Sequence, residues 1–355
     1  MFDVAVIGAG MAGLSCAQRL RQAGYSVAVV EKSRGAGGRV ATRRVQGSRA
    51  DHGARYLEPQ GDAVQGLIEA LVDRHILKLW TDCVWQLRQG KLSAIPSSCY
   101  VAPAGMNAVG KYLAEGLEIW FGRRVKAISR TDSQMWHLSL EVTDDNLDIP
   151  QELIAKAVVV AIPAPQALMF LNSEMGFSPD FIDKLRSVEY DPCITVMAGY
   201  SAARKSDLNN LNPQWKSVSF PENSDLAWVG LDSTKRLDPQ QPVFVVHSSA
   251  NFADRHLESA DLATVGQELL DRTSEYLIPW LKQPEWLQVH RWRYAFCRNP
   301  LPVSCLAAEG TLPLVCAGDL CGEGQIEGAL RSGLAAANWV NSQLQDLPLD
   351  ASLNW

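Results

Sequence analysis

The chain has 355 residues, of which 47% are hydrophobic and 20% charged, and its formal net charge is −6. This length can bury one large core or two closely joined ones, and the composition is that of a globular protein. The acidic balance argues against a nucleic-acid partner. No run of about 20 apolar residues predicts a membrane span. No secretory signal precedes the first predicted strand, so we expect a cytoplasmic protein whose eight cysteines are free thiols.

The N-terminal residues predict a strand–helix–strand unit. The apolar run Phe2–Ile7 is typical of a buried parallel strand. Residues 14–23 have helical spacing, and Gly24 ends that helix. Residues 26–30 form a second β-rich run, which leads directly into Glu31. The order of these elements predicts the first half of a doubly wound sheet.

A glycine pattern joins the first strand to the helix. Gly8, Gly10 and Gly13 form G-x-G-x-x-G, which permits a tight turn, a close approach of pyrophosphate and close helix packing. Glu31 can accept hydrogen bonds from a ribose diol, and its charge argues against the 2′-phosphate of NADP. The predicted contacts of an adenine dinucleotide here are Gly8, Gly10, Met11, Ala12, Gly13 and Glu31. The alternative is a glycine-rich turn that binds nothing.

A second glycine-rich loop follows Glu31 and returns towards the same ligand. Its glycines can direct backbone N–H groups at an anion, and Arg39 can pair with a phosphate. A flexible surface loop is the alternative. The segment at 50–56 reads as a short strand into a turn. From the glycine-rich loop we predict further cofactor contacts at Lys32, Arg34, Gly38 and Arg39.

The middle of the chain predicts two kinds of layer. In chain order we expect a helix at 62–74, a strand at 80–87, a helix at 107–115, strands at 117–121, 124–129 and 136–142, a polar loop at 143–150 and an apolar strand at 157–162. Strands at 192–200, 216–220, 226–232 and 242–249, with a helix at 260–277, predict an antiparallel sheet. A strand at 286–294 leads back to the first unit. The fold class is therefore α/β, with an inserted second domain.

The C-terminal part has the same order of features as the first unit: an apolar strand, a glycine turn with an acidic residue, and a helix. An apolar strand at 312–317 precedes Gly318 and Asp319, and a helix covers 325–344. If this strand lies beside the first, Asp319 faces the middle of the same ligand. A carboxylate there can accept from sugar-alcohol hydroxyls, which favours FAD over NAD, although an aspartate that caps the helix is the alternative. We divide the chain into an FAD-binding domain (1–80, 106–165, 286–345) and a substrate domain (81–105, 166–285).

These motifs resemble the flavin amine oxidase superfamily. The resemblance rests on the glycines and Glu31, the Gly37-Gly38-Arg39 loop, Asp51-His52-Gly53-Ala54, and Gly318-Asp319 with Glu327-Gly328-Ala329. The stretches 158–166 and 291–295 most resemble the renalase family. The resemblance implies a Rossmann-like FAD domain with a substrate domain like that of hydroxybenzoate hydroxylase. It also implies cofactor contacts at Asp51, Gly53, Ala54, Arg55, Val125, Gly318, Asp319, Gln325, Ile326 and Ala329. Noncovalent FAD is expected, because no Ser-Gly-Gly-Cys stretch occurs.

The resemblance further implies oxidation of aberrant dihydro isomers of NAD(P)H to NAD(P)⁺, with electrons passed to oxygen. A flavin amine oxidase and a non-enzymatic flavin-binding protein are the alternatives. Arg55 stands where we expect a neutral residue. Because the second sheet should cover the flavin, we predict substrate contacts at His247, Trp228, Trp292 and Tyr294. A satisfied core histidine is the alternative at His247, and no metal is predicted.

Overall fold

The computed structural model describes residues 1–143, 150–172, 175–310 and 312–349. Within these residues the strands form an eight-stranded sheet, a seven-stranded sheet and a two-stranded hairpin. The predicted polar loop at 143–150 lies almost wholly outside the described residues.

The eight-stranded sheet carries the dinucleotide-binding unit. Its main path runs β16–β17–β10–β1–β2–β7, and β8 and β9 extend it from β10. The strands β1, β2, β7, β10 and β17 pair in parallel, whereas β16, β8 and β9 pair antiparallel. Their bounds are β1 Phe2–Ile7, β2 Val27–Glu31, β7 Glu118–Phe121, β8 Arg123–Arg130, β9 Trp136–Val142, β10 Glu152–Val160, β16 Leu306–Ala307 and β17 Leu314–Cys316. The central strands are apolar because helices and loops bury both faces.

Helices cover this sheet on both sides. Their bounds are α1 Met11–Gln22, α2 Asp62–Asp73, α3 Asn107–Leu113, α4 Ala164–Ala167, α5 Pro179–Arg186 and α9 Gln325–Gln343. Helices α1 and α9 pack closely, since a Cβ on Gly333 would lie 2.2 Å from the carbonyl oxygen of Ala12. The two helices whose N-termini face the predicted cofactor therefore support each other.

The seven-stranded sheet forms the second unit, in the order β15–β11–β14–β13–β12–β5–β6. All its pairs are antiparallel except β12 with β5. Its strands are β5 Lys78–Arg88, β6 Lys91–Val101, β11 Tyr190–Gly199, β12 Ser217–Ser219, β13 Leu226–Leu231, β14 Val243–Ser248 and β15 Trp286–Cys297. The helices of this unit are α6 Lys205–Asn209, α7 Ala250–His256 and α8 Leu262–Tyr276. Helix α8 covers one face, and the other face meets the first unit. The hairpin of β3 (Thr42–Val45) and β4 (Ser48–Asp51) lies between the units.

Four expectations about the elements need correction. Strand β17 does not lie beside β1, because β10 intervenes and pairs with both. Strand β15 pairs with β11 along its length, so the start of the segment 286–345 belongs to the substrate sheet. Strand β6 was not predicted, since its polar, Pro-containing sequence has no clear alternation; its pairing with β5 holds it in the sheet. Helix α1 also begins three residues earlier than expected, at Met11.

Candidate active site

The turn after β1 has the geometry of a pyrophosphate cradle. Gly8 has φ +104°, which glycine adopts readily. A Cβ on Gly13 would lie 1.9 Å from the carbonyl oxygen of Gly8, whereas one on Gly10 would meet nothing within 4 Å in the described structure. No side chain caps α1, so its first amides, at Met11, Ala12 and Gly13, face an anion site. The three glycines thus have the three roles that the motif predicts.

The second glycine loop lies on this turn. The amide of Gly37 donates to the carbonyl oxygen of Ala9 at 2.8 Å, and Gly37 forms a bridge with Gly10. Gly38 has φ +57°, and a Cβ there would lie 3.2 Å from the Cα of Gly10. Both loops therefore line one cradle, and side chains would fill it.

Glu31 ends β2 with its carboxylate held beside this cradle. Its two oxygens accept from the amides of Ala9 at 2.8 Å and Ser33 at 2.7 Å, and the residue is 7% exposed. These bonds orient the carboxylate without using all its lone pairs. Lys32 and Arg34 lie exposed next to it. The placement fits the predicted ribose contact.

Arg39 and Asp319 form a bidentate ion pair. The Arg39 guanidinium donates to the Asp319 carboxylate at 2.5 and 2.7 Å, and also to the backbone oxygen of Ala295 at 3.2 Å. We predicted that Arg39 binds a phosphate and that Asp319 binds hydroxyl groups. Because the two side chains bind each other, each can make its predicted contact only in addition to this ion pair. The pair ties β15 to the dinucleotide unit. Gly318 lies behind it and donates from its amide to Ser332 Oγ at 3.0 Å.

Gly53 and Ala54 lie against the second glycine loop. A Cβ on Gly53 would lie 1.9 Å from the carbonyl oxygen of Arg39, and the amide of Ala54 donates to the same oxygen at 2.9 Å. Val125 is 7% exposed at a bulge in β8. Gly53 and Ala54 thus fix the backbone of the second glycine loop at Arg39.

The start of α9 offers a second uncapped helix N-terminus. Gly324 precedes it with φ +74°, and no side chain caps it. Gln325 is exposed, Ile326 is half-buried, and Ala329 is 8% exposed. Glu327 points away from the site, because its carboxylate accepts from two amides at the start of α2, at 2.8 and 3.3 Å. Glu327 thus supports the fold, while its neighbours face the cradle.

Asp51 was predicted to contact the cofactor, and this is wrong for its side chain. Asp51 is 0% exposed and lies in an ion cluster with Asp232, Lys235 and Arg236. Lys235 is 2.7 Å from Asp232, and Arg236 is 2.9 Å from Asp51 and 2.6 Å from Asp232. Two carboxylates and two cations balance in charge. The cluster joins β4 to the turn after β13 and so holds the two units together.

The substrate sheet presents a transverse row of polar and aromatic side chains. Trp228 pairs with His247, His247 with Thr195, and Thr195 with His290, across β13, β14, β11 and β15. Directly opposed residues share one face of a sheet. Along β14, residues that alternate in phase with His247 pack on the dinucleotide unit, and the others pack under α8. The row therefore faces the cofactor cradle.

Arg55 lies in front of this row. Its Nε donates to Nδ1 of His247 at 3.3 Å, and its guanidinium is 5.3 Å from the Trp228 ring centroid. His247 and Trp228 are 3% and 1% exposed, so both lie one layer behind Arg55 instead of facing a ligand directly as we predicted. Lys235 donates to the backbone oxygen of Arg55 at 2.7 Å. In the described part of the chain no carboxylate pairs with Arg55.

Trp292 belongs to an aromatic group beside the row. Its ring stacks on His52 with centroids 5.4 Å apart, and its Nε1 donates to the backbone oxygen of His52 at 2.8 Å. The His290 ring is 4.9 Å from His52 and 4.3 Å from Trp292. Tyr294, two residues further along β15, packs edge-on against Tyr190. Trp292, Tyr294 and His290 are half-buried, so they border the open space.

All three imidazoles are neutral at neutral pH. Burial, with His290 and Arg43 adding to it, lowers the pKa of His52 to about 3. Burial and then the charge of Arg43 lower the pKa of His290 to about 4. Burial and the charge of Arg55 hold the pKa of His247 well below its usual range. Because Arg55 donates to Nδ1, neutral His247 carries its proton on Nε2.

Buried polar atoms without a protein partner concentrate on this side of the substrate sheet. Within the described residues they include His247 Nε2, Trp228 Nε1, His52 Nδ1 and Arg43 Nε. Native interiors leave few such atoms unpaired, and a cluster of them requires an explanation such as bound water or ligand. The cluster therefore makes the region between the units the candidate binding site.

Sequence reasoning missed His52, His290, Arg43 and Lys235. His290 lies two residues before Trp292, so strand alternation could have placed it on the same face. His52 stands within a motif that we had used only for recognition. Nothing in the sequence indicates that Arg43, rather than Arg44, turns towards this site. The role of Lys235 follows only from its partners in the ion cluster, which the sequence does not reveal.

A separate cavity of about 850 Å³ lies beyond the ion cluster. Its lining includes Arg49, Lys78, Leu237 and Val243, and none of the predicted site residues. Val243 is at the opposite end of β14 from His247. This cavity is therefore distinct from the site between the units.

Fold and site together define a flavin-dependent oxidoreductase with a dinucleotide-binding unit and a sheet that covers it. A family model for an NAD(P)-binding Rossmann-like domain matches residues 6–71, and one for flavin containing amine oxidoreductases matches residues 75–341. The second match spans three quarters of the chain. The protein therefore belongs to the flavin-containing amine oxidoreductases and is an enzyme whose cofactor is FAD.

Individual relatives match only in part by sequence. A protein named as a flavin-containing monoamine oxidase from Mycobacterium tuberculosis is 45% identical over 69 residues, which are 19% of this chain and 15% of the relative. Putrescine oxidase from Kocuria rosea is 36% identical over 103 residues, 29% of this chain and 19% of its own. The matched segments thus span less than a fifth of these relatives.

Solved structures match over nearly the whole length. Putrescine oxidase bound to putrescine has a TM-score of 0.71 at 15% identity, covering 96% of this chain and 99% of that one. Cyclohexylamine oxidase from Brevibacterium oxydans has a TM-score of 0.70 at 14% identity, covering 97% and 99%. At this identity the likeness shows the fold alone. In the described part of the chain no helix is long and apolar enough to cross a bilayer.

Proposed function

We propose that this enzyme is renalase-like and oxidises dihydro isomers of NAD(P)H to NAD(P)⁺, with oxygen as the electron acceptor. The observation that carries the proposal is Arg55, a cation inside the site with no carboxylate partner among the described residues. A charge in that position favours a ligand that brings negative charge. A reduced nicotinamide nucleotide is an anion because of its phosphates, and the positive potential of Arg55 attracts it even when those phosphates bind elsewhere in the site, whereas a protonated amine would be repelled.

FAD, held noncovalently in the cradle, supplies hydride acceptance at N5 and reoxidation by oxygen. The side chains around it orient and do not react. Neutral His247 accepts from Arg55 Nε and so holds the guanidinium in place, which makes His247 a positioning residue. The indole of Trp228 supports the same guanidinium from below at 5.3 Å. The remaining N–H groups of Arg55 have no protein acceptor among the described residues and are available to a ligand.

The aromatic group provides the wall for a flat ring. Trp292 and Tyr294 are half-buried on β15, which Arg39 ties to the cofactor unit through the oxygen of Ala295. An aromatic ring at that position can stack on a nicotinamide ring. Because the three neighbouring imidazoles are neutral, they add hydrogen-bonding capacity without adding charge. The site therefore needs no side chain to transfer a proton when a hydride leaves a dihydronicotinamide.

Amine oxidation is the second candidate. The family match and the partial identity with putrescine oxidase favour it. An amine would have to bind in its neutral form, or at a distance from Arg55. The two candidates therefore predict opposite effects of removing the Arg55 charge.

The test measures anaerobic flavin reduction in the wild type and in Arg55→Gln, with mixed dihydro-NAD isomers and with putrescine, cyclohexylamine and benzylamine. We expect the isomers to reduce the wild type, and Arg55→Gln to slow that reduction about 10- to 100-fold, the usual worth of a charge-assisted hydrogen bond. Arg44→Gln, an exposed arginine on the same hairpin as Arg43, is the matched control. Reduction by an amine that is unchanged or faster in Arg55→Gln would establish the second candidate. No reduction by either class would reject both.

A further inference from the structure

A second positive site lies beside the aromatic group, on the hairpin between the units. Arg43 is half-buried on β3 and pairs in register with Ala50, two residues before His52, whose amide donates to the carbonyl oxygen of Ala41 at 3.2 Å. Burial lowers the pKa of both His52 and His290, and the charge of Arg43 lowers it further. In the described part of the chain no carboxylate pairs with Arg43. Its neighbour Arg44 is exposed and pairs in register with Arg49 of β4. Arg43 therefore differs from the other arginines of the hairpin in facing inwards.

Unpaired polar atoms surround this arginine. Arg43 Nε is buried without a partner, and so is Nδ1 of His52, a residue that is 6% exposed. The imidazole of His290 is 4.9 Å from that of His52, centroid to centroid. A guanidinium with two neutral imidazoles is a donor set suited to phosphate oxygens. In the described structure no protein acceptor takes the Nε proton.

We propose that Arg43, His52 and His290 form a subsite for the phosphate groups of a nucleotide substrate. The inference rests on the proposed function, because it assigns the pyrophosphate of a dihydronicotinamide dinucleotide to this position. Arg55 and Arg43 lie at two ends of the row formed by His247, Thr195 and His290, whose members occupy neighbouring strands. Adjacent strands are about 4.8 Å apart, so the two ends are separated by about 10 Å. A nicotinamide ring near Arg55 and a pyrophosphate near Arg43 are compatible with that separation.

The first test uses ADP-ribose, which carries the pyrophosphate but no nicotinamide, and measures its dissociation constant for the oxidised, FAD-loaded enzyme by calorimetry. We expect Arg43→Gln to weaken binding about 10- to 100-fold. Arg44→Gln should leave it within about twofold, since its side chain is exposed. Arg43→Lys, which keeps the charge without the forked donors, should lie between them. Equal affinity in the wild type and Arg43→Gln, or no binding of ADP-ribose at all, would overturn the proposal.

The second test separates substrate phosphate from cofactor phosphate. FAD affinity should be the same in Arg43→Gln and the wild type; a large loss would assign the subsite to FAD and overturn the proposal. If Arg43→Gln fails to fold, His290→Gln replaces it in both tests. In turnover, Arg43→Gln should raise KM for the dinucleotide donor and leave kcat unchanged. With the uncharged donor 1-benzyl-dihydronicotinamide, KM and kcat should both equal those of the wild type. If no dihydronicotinamide reduces the flavin, the proposed function fails, while the ADP-ribose measurement still decides whether the phosphate subsite exists.

Discussion

The cofactor cradle and the substrate face of the second sheet meet at one site but are built in different ways. The cradle is built from backbone groups: its glycines allow the two loops to approach so closely that the amide of Gly37 donates to the carbonyl oxygen of Ala9 at 2.8 Å. The substrate face is formed by side chains. It contains buried polar atoms that have no protein partner in the described structure. A site of the first kind tolerates one ligand shape. A site of the second kind can change its ligand by exchanging a few side chains.

The junction between them is a third kind of structure. Asp51, Asp232, Lys235 and Arg236 form a charge-balanced cluster with little or no exposure. Such a cluster is costly to disrupt, because removal of one member leaves a buried charge uncompensated. It fixes the relative position of the cradle and the face without contacting the ligand.

The largest expected effect comes from filling the cradle. In Gly13→Ala the new Cβ would lie 1.9 Å from the carbonyl oxygen of Gly8, so the turn must move. We expect the variant to retain no FAD through purification, and overpacking to cost about 1–3 kcal/mol of unfolding free energy. Flavin absorbance per protein and urea unfolding measure the two effects. Gly35→Ala is the control, since nothing in the described structure lies within 4 Å of its Cβ position. A flavin-replete Gly13→Ala enzyme would contradict the role of the cradle.

The next effect comes from breaking the junction. Asp51→Ala leaves Lys235 and Arg236 with one carboxylate, and we expect the free energy of unfolding to fall by about 3–5 kcal/mol. Urea unfolding measures it. Asp180→Ala, which breaks the exposed pair with Lys184 at 2.6 Å, should cost less than about 1 kcal/mol. Similar losses in the two variants would mean that the cluster is not the joint between the units.

The smallest effect is the pH dependence of the substrate face. The pKa of His52 is about 3 and that of His290 about 4 in the folded protein, below the unfolded value near 6.5. The unfolded chain therefore binds more protons below about pH 6.5, and stability falls as the pH drops from there. We expect His52 to account for at most about 2 kcal/mol between pH 6.5 and 5. The urea midpoint of His52→Gln should change less over this interval than that of the wild type, and an equal slope would show that His52 is solvated.

Much of the cradle was predictable because its requirements are local. One strand–helix–strand unit contains the strand Phe2–Ile7, the glycine spacing and the acid that ends β2. The local backbone geometry of this unit requires these residue types, so the sequence shows them directly. Helices α2, α8 and α9 were also predicted to within about three residues at either end, since their apolar spacing is regular. Resemblance to a family supplied the cofactor.

The substrate face was predictable only in outline. His247, Trp228 and Trp292 were predicted as substrate contacts on the second sheet, but the burial of the first two beneath Arg55 was not predicted, because Arg55 comes from another unit. Asp51 lies within a recognisable motif, but its ion-pair partners are about 180 residues further along the chain. The positions of β17 and β15 depended on which strands pair, and apolar strands look alike in sequence.

By itself the amino-acid sequence determined the cofactor-binding class, since glycine and strand patterns act through the backbone over short distances. Only the tertiary structure decided the electrostatics of the site. It pairs Arg39 with Asp319, buries Asp51 in the ion cluster, and leaves Arg43 and Arg55 without carboxylate partners in the described residues. The reason is physical: the charge available to a ligand is what remains after every buried ion has met its partner, and those partners come from distant segments.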